Sequence, residues 1–220
     1  MEQHPIVEKV INSLPLWVCT MLKRNPKKLV VAGGVFRAIY ENDNIKDIDL
    51  FVDSKDTAER LVDDYCIMMG LREVDVQRTK NAINLHIDGE PPIQIITRWM
   101  YANPEDVIRS FDFTMAQGSL WWDGERYQSA FGETFFVDVD LRQLVYTSPD
   151  RNEDCAGSLM RVVKFLRRGY NIDAKNLTAV VSRLVIKTYQ EYDIDSKNNS
   201  QEFVMECLHR EIAKANGCRY

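Results

Sequence analysis

The segment LVVAGGVFRAIYENDNIKDIDLFVD, residues 29–53, leaves the chain few ways to fold. Leu29 to Ala32 read as a buried strand, Gly33-Gly34 end it, VFRAIYEN has helical spacing, and DIDLFVD starts a second strand. Side chains alternate along a strand, so Asp47 and Asp49 face one way while Ile48 and Leu50 face the other. One face is therefore core and the other an acidic floor. Two such carboxylates lie about 7 Å apart along a strand, and burying them is costly unless a cation or hydrogen-bond donors meet them.

A divalent cation meets that need. Mg²⁺ takes one or two protein carboxylates and completes its octahedron with water and substrate phosphates. The glycine pair supplies the other half: its backbone N–H groups can approach an anion closely, and the helix that follows offers its positive N-terminus to phosphate. Arg37, in the first turn of that helix, can add a bidentate contact. Taken alone, Gly-Gly is an ordinary tight turn and Asp-x-Asp an ordinary solvated strand edge. One helix apart, they point together to a nucleoside triphosphate site, with Asp47 and Asp49 on the metal and Gly33, Gly34 and Arg37 on the phosphates.

Composition narrows the classes. A chain of 220 residues, 45% hydrophobic, can bury one sizeable core with a smaller appendage. A net charge of -5 excludes a protein that is basic all over and coats nucleic acid, although a local basic patch remains open. Five scattered cysteines without CxxC spacing indicate neither a disulfide framework nor a zinc site, and three scattered histidines leave oxygen ligands for any metal. No apolar run reaches the length of a membrane span, and Glu2 and Glu8 stand where a signal segment would be apolar; the expectation is a cytoplasmic protein with no membrane partner.

Along the chain, residues 5–24 read as a helix pair broken at Pro15, and TAERLVDDYCIMMG as a helix closed by Gly70. EVDVQRT, AINLHID and PIQIITR read as short strands that extend the first sheet in mixed fashion. Asn103 reads as an N-cap with Pro104 at the first position of a helix over PEDVIRSF, and FDFTMAQGSLWWDGERYQ as two strands about the Asp123-Gly124 turn. Helices then follow over about 138–144, 156–168, 175–191 and 200–215. The expected fold is α+β: a mixed-sheet head over residues 1–150 and a C-terminal helical neck over 151–220.

GGVFR followed by DIDLF resembles the glycine-pair and Asp-x-Asp signature of the polymerase-β-like nucleotidyltransferases, in particular the head of class II CCA-adding tRNA nucleotidyltransferases and bacterial poly(A) polymerases. The likeness continues in order. IQIITR resembles the strand that carries the family's third carboxylate, DFTMAQGSLWWDG its sugar-selecting motif, FVDVDLRQ a later helical segment, and SLMRVVKFLRRGYNID the neck. By resemblance, Asp112 joins the nucleotide-binding residues, Arg161 matches the arginine of the base-reading motif, and Lys164 takes the place of the next one. The departures are as informative. Gln94 stands at the third-carboxylate position, Ser110 and Phe111 replace two arginines, Ala116 an asparagine, and Gly157-Ser158 a Glu-Asp pair.

From residue 155 to 190 there are seven Lys or Arg against one acid, Asp173, so positive charge is concentrated in a chain that is negative overall. On a helix, Arg161, Lys164 and Arg168 share a stripe, with Leu159, Val162, Val163 and Leu166 expected on the packed face. The resemblance implies a Mg²⁺- or Mn²⁺-dependent nucleotidyltransferase that moves a nucleoside monophosphate from an NTP to a hydroxyl, with an RNA or tRNA 3′ end as acceptor. The departures support a second class: a pseudoenzyme that keeps the fold as a nucleotide-binding, interaction or regulatory module. Trp121, Trp122 and His86 read as structural residues, and Cys155 has no evident histidine partner.

Overall fold

The computed structural model describes residues 4–70, 76–149, 156–195 and 197–215. Glu73, Val74 and Asp75 of the expected strand, the expected boundary at residue 150, Cys155 and Cys218 lie outside them. The chain divides into two compact units, residues 1–111 with 115–135, and residues 112–114 with 136–220.

The first unit opens with α1 (Ile6–Ser13) and α2 (Leu16–Arg24), separated at Pro15, which stands at the N-cap of α2. Then come β1 (Leu29–Ala32), α3 (Gly34–Tyr40), β2 (Ile48–Val52) and α4 (Lys55–Met69). Ser54 caps α4 by accepting a hydrogen bond from the Thr57 N–H at 3.2 Å, and Gly70 ends it at φ 63°, the left-handed conformation that glycine adopts without steric cost. β3 (Gln77–Arg78), β4 (Ala82–Leu85), β5 (Ile93–Ile96), β6 (Gly118–Trp122) and β7 (Tyr127–Phe131) complete the sheet. The order is β3-β4-β5-β2-β1-β6-β7; β2 and β5 are parallel, and every other neighbouring pair is antiparallel.

Alternation divides the sheet into two faces as the sequence pattern requires. Leu29, Val31, Ile48, Leu50, Ile93, Ile95 and Leu120 are all fully buried. Each such side chain contributes about 1.5–3 kcal/mol relative to exposure, so this face dominates the unit's stability. On the other face Val30, Ala32, Phe51 and Trp121 cluster with Val107, and Ile96, Tyr101, Phe111 and Ala130 pack against them.

Two local expectations are revised. PEDVIRS, Pro104–Ser110, is a 3₁₀ helix rather than an α-helix; the Asn103 side chain donates to Asp106 Oδ2 at 3.1 Å instead of capping the backbone. Residues ahead of β6 do not extend the hairpin: Thr114–Ala116 form a 3₁₀ turn, and Phe113 makes an isolated bridge to Tyr146. The cause is tertiary, because the Thr114 N–H donates to the Val145 carbonyl and the Thr147 N–H to the Asp112 carbonyl. The Asp123-Gly124 turn does form. Asp123 Oδ1 accepts from the N–H groups of Glu125 and Arg126 and Oδ2 from Gln128 Nε2, and these bonds hold its pKa down at about 2.

The second unit carries α5 (Phe135–Asp140), which starts ahead of the expected 138, α6 (Gly157–Leu166), α7 (Ala174–Glu191) and α8 (Gln201–Ala215). In α6 the packed face is Ser158, Val162 and Phe165, while Leu166, expected there, is 46% exposed. The bulkier Phe165 takes the interior position and stacks edge-on with Tyr170, 5.3 Å between centroids. Asp173 caps α7 by accepting from the Asn176 N–H at 2.7 Å, and that bond lowers its pKa. Among the described residues no helix is long and apolar enough to cross a membrane.

Candidate nucleotide and metal site

β1 and β2 pair so that Ala32 lies opposite Asp49, and β2 and β5 pair so that Asp49 lies opposite Gln94. Gln94 in turn faces Asn84, and Ala32 faces Ser119. Directly opposed residues share a face, so Asn84, Gln94, Asp49, Ala32 and Ser119 form one row across the sheet. Asp47 precedes β2 by one residue; both aspartates and Gln94 are half-buried. Strand pairing thus brings one carboxylate and the neutral Gln94 side by side.

At the end of β1 the chain must turn sharply. Gly33 does this at φ 92°, ψ -143°, a region that only glycine enters freely. Its N–H donates to the Gly118 carbonyl at 3.0 Å, and its carbonyl accepts from the Phe36 N–H at 3.3 Å, which starts α3. A Cβ at Gly33 would come within 3.2 Å of Phe111 Cε1 and 3.4 Å of Asp49 Oδ2, so the acid lies directly beside the glycine turn. A Cβ at Gly34 would meet nothing within 4 Å, so the backbone there borders open space.

Arg37, expected to reach a triphosphate, has 4% of its surface exposed. Its Nη1 bonds Glu41, and Nη1 and Nη2 each bond Asp43 Oδ2 at 3.1 Å. The fork geometry that suits a phosphate is engaged by two carboxylates, and the i,i+4 spacing of Arg37 and Glu41 was the available sequence signal.

The second unit holds the other expected residues. Asp112 is 2% exposed, and its Oδ2 accepts from Ser158 Oγ and from Arg161 Nε, both at 2.7 Å. Arg161 is the counterion of this buried carboxylate. Ser158 is the partner that the sequence did not disclose. Thr114 Oγ1 donates to Asp138 Oδ2 at 2.5 Å. Lys164 is exposed, with its ammonium 5.9 Å from the Phe165 ring centroid, and Arg168 lies 5.2 Å from the same ring.

Among the described residues no group of three or more His, Cys, Asp and Glu side chains is placed to hold a metal. The donor set that remains, Asp47 and Asp49, matches the one or two carboxylates that Mg²⁺ asks of a protein when phosphates supply the rest. The residues fit one such ion.

A model of the Gabija anti-defense 2 (Gad2) family matches residues 7–142, more than half of the chain. The chain belongs to the Gabija anti-defense 2 family. A curated Gabija anti-defense 2 protein of Bacillus phage SPbetaL7 is 26% identical over 173 residues, which cover 77% of this chain and 41% of that relative. The chain is also similar to solved structures. A Thermotoga maritima CCA-adding enzyme complexed with tRNA matches at TM-score 0.59 and 12% identity, over 96% of this chain and 54% of that one. A CCA-adding enzyme with ATP matches at TM-score 0.60 and 12% identity, over 95% and 54%. A tRNA nucleotidyltransferase complexed with a primer tRNA and an incoming ATP analog matches at 0.56 and 15%, over 84% and 57%. At these identities the likeness establishes the α+β nucleotidyltransferase fold, and the chain spans about half the length of the structures it matches.

Proposed function

We propose that the first unit carries a metal-dependent nucleotidyltransferase site, which binds a nucleoside triphosphate and transfers its nucleoside monophosphate to a hydroxyl acceptor. The observation that carries this reading is the proximity of the two halves of the motif: Asp49 Oδ2 lies 3.4 Å from where a Cβ on Gly33 would stand. Asp47 and Asp49 would hold Mg²⁺ or Mn²⁺, which when bound offsets phosphate charge and polarises the phosphorus centre for attack. Gly33 shapes the turn, and the open space at Gly34 lets a phosphate oxygen approach backbone N–H groups. Arg37 ties the end of α3 to Glu41 and Asp43 and so holds the helix that follows the turn. In the second unit, Asp112 and Arg161 hold α6 in place, and exposed Lys164 adds a positive charge to that helix. An RNA 3′ end is the favoured acceptor, by analogy with the tRNA-bound structures of similar fold. Membership of the Gabija anti-defense 2 family supports a role for this site in countering the Gabija defence.

A second reading has its own observation. Gln94 is in register with Asp49 where a third carboxylate would strengthen the metal floor, which favours a nucleotide-binding module without transfer. One experiment separates the two. The chain is incubated with α-labelled ATP or CTP, Mg²⁺ or Mn²⁺ and total RNA, and the same variants are expressed in cells carrying Gabija. Label transfer and phage rescue, both abolished by Asp47→Ala and Asp49→Ala, support the enzyme. Rescue without transfer, unchanged by either substitution, supports the module.

A further inference from the structure

We propose that Phe111 is an autoinhibitory gate on the glycine turn, an inference that rests on the nucleotide site proposed above. A Cβ at Gly33 would stand 3.2 Å from Phe111 Cε1 and 3.3 Å from Cζ. The ring therefore occupies the space on the side of Gly33 that also meets Asp49 Oδ2, where a phosphate chain bridging the turn and the acid would have to pass. Phe51 packs against the ring, edge-on at 5.6 Å between centroids and 80° between planes, and Phe51 lies 6.0 Å from the Tyr101 ring. Phe111 also packs against the cluster of Val30, Ala32, Val107 and Trp121.

An apolar ring and a triphosphate exclude each other at this spot. Phosphate oxygens need donors or water, and a ring held against the glycine offers neither. Phe111 is only partly buried, and it sits at the end of the 3₁₀ segment, with its N–H on the Ile108 carbonyl at 3.4 Å. Rotation about its χ angles can carry the ring off the turn without breaking the sheet. The closed arrangement is the one seen, so nucleotide binds the minor, open form, and apparent affinity is lowered by the open fraction. Removing the ring abolishes that competition. A closed form favoured about tenfold implies about tenfold tighter binding once the ring is gone.

The test titrates MgATP and MgCTP into the wild-type chain, Phe111→Ala and Phe111→Leu by calorimetry, with melting curves to confirm folding. The expected result is at least tenfold tighter binding by Phe111→Ala and an intermediate gain by Phe111→Leu. Because loss of the ring can also loosen the cluster around Phe51, a second measurement keeps it in place. The chain is labelled with 4-fluorophenylalanine, the ¹⁹F resonance missing from Phe111→Leu is assigned to Phe111, and its shift is followed as MgATP is added to wild type. A large shift toward a solvent-exposed position is expected. Binding of equal or lower affinity in the ring-deleted variants, with the Phe111 resonance unmoved on saturation, overturns the gate and leaves the nucleotide site standing. Absence of binding in wild type and variants alike, at millimolar nucleotide, overturns the nucleotide reading and the gate with it.

Discussion

The two glycines of the turn should respond in opposite ways to the same substitution. Gly33 holds φ 92° with ψ -143°, and a Cβ there would press on Phe111 at 3.2 Å and Asp49 at 3.4 Å. The backbone term for an L-residue in such a region is about 1–3 kcal/mol, and the crowding against a packed ring adds about 1 kcal/mol. Gly33→Ala should therefore cost about 2–4 kcal/mol, and at about 2–4 °C per kcal/mol for a chain of this size the melting temperature should fall by about 4–16 °C. Gly34 opens α3, and a Cβ there meets nothing within 4 Å. Alanine is the better helix former, so Gly34→Ala should leave the melting temperature unchanged or raise it slightly. Its methyl group, however, enters the open space through which a phosphate oxygen would approach, so MgATP affinity should drop about tenfold while the fold stays intact. Differential scanning calorimetry and nucleotide titration of both variants make the comparison. An unaltered melting temperature in Gly33→Ala refutes the conformational argument; unaltered nucleotide affinity in Gly34→Ala refutes the placement of phosphate at the turn.

Arg161→Ala removes the counterion of buried Asp112 and should cost about 1–3 kcal/mol, toward the lower end because Arg161 itself is 39% exposed; thermal unfolding reads it. Gly118→Ala places a Cβ 2.6 Å from Cγ of the fully buried Phe36 and should destabilise by about 1–3 kcal/mol, seen as a shifted urea midpoint. Gln94→Glu sets a second carboxylate in register with Asp49; Mn²⁺ affinity, followed by electron paramagnetic resonance, should rise severalfold, and metal-free stability should fall through like-charge repulsion. The Asp123 turn makes stability pH-dependent with a defined sign. Its carboxyl is held at about 2 in the folded chain, below the ordinary carboxylate value, so its contribution is complete above the unfolded pKa of about 4 and is lost as pH falls through about 2. Asp123→Asn should flatten the stability profile over that window and leave it unchanged near neutrality.

Much of the first unit was legible because its signals are local. Gly33-Gly34, the alternation about Asp49, the Asp123-Gly124 hairpin and the helix end at Gly70 each depend on residues a few positions apart. The failures share one cause. Residues 112–117 look like a strand continuing into β6, yet the backbone of Asp112 and Thr114 is claimed by Thr147 and Val145. Leu166 and Phe165 are equally apolar, and nothing in their spacing says which is covered; packing buries Phe165 and leaves Leu166 exposed.

The sequence alone determined that an acidic strand follows a glycine turn by one helix, that this strand turns an apolar side to the core, and that a neutral Gln94 stands on a later strand. These follow from alternation and turn chemistry, which act between near neighbours. Only the tertiary structure decided the partners: Gln94 beside Asp49 through parallel pairing, Arg37 engaged by Glu41 and Asp43, Asp112 bonded to Ser158 and Arg161, and Phe111 laid over Gly33. A charge or a ring can be read from a sequence, but which group meets it depends on chain segments brought together by burial, and that choice is made across the fold.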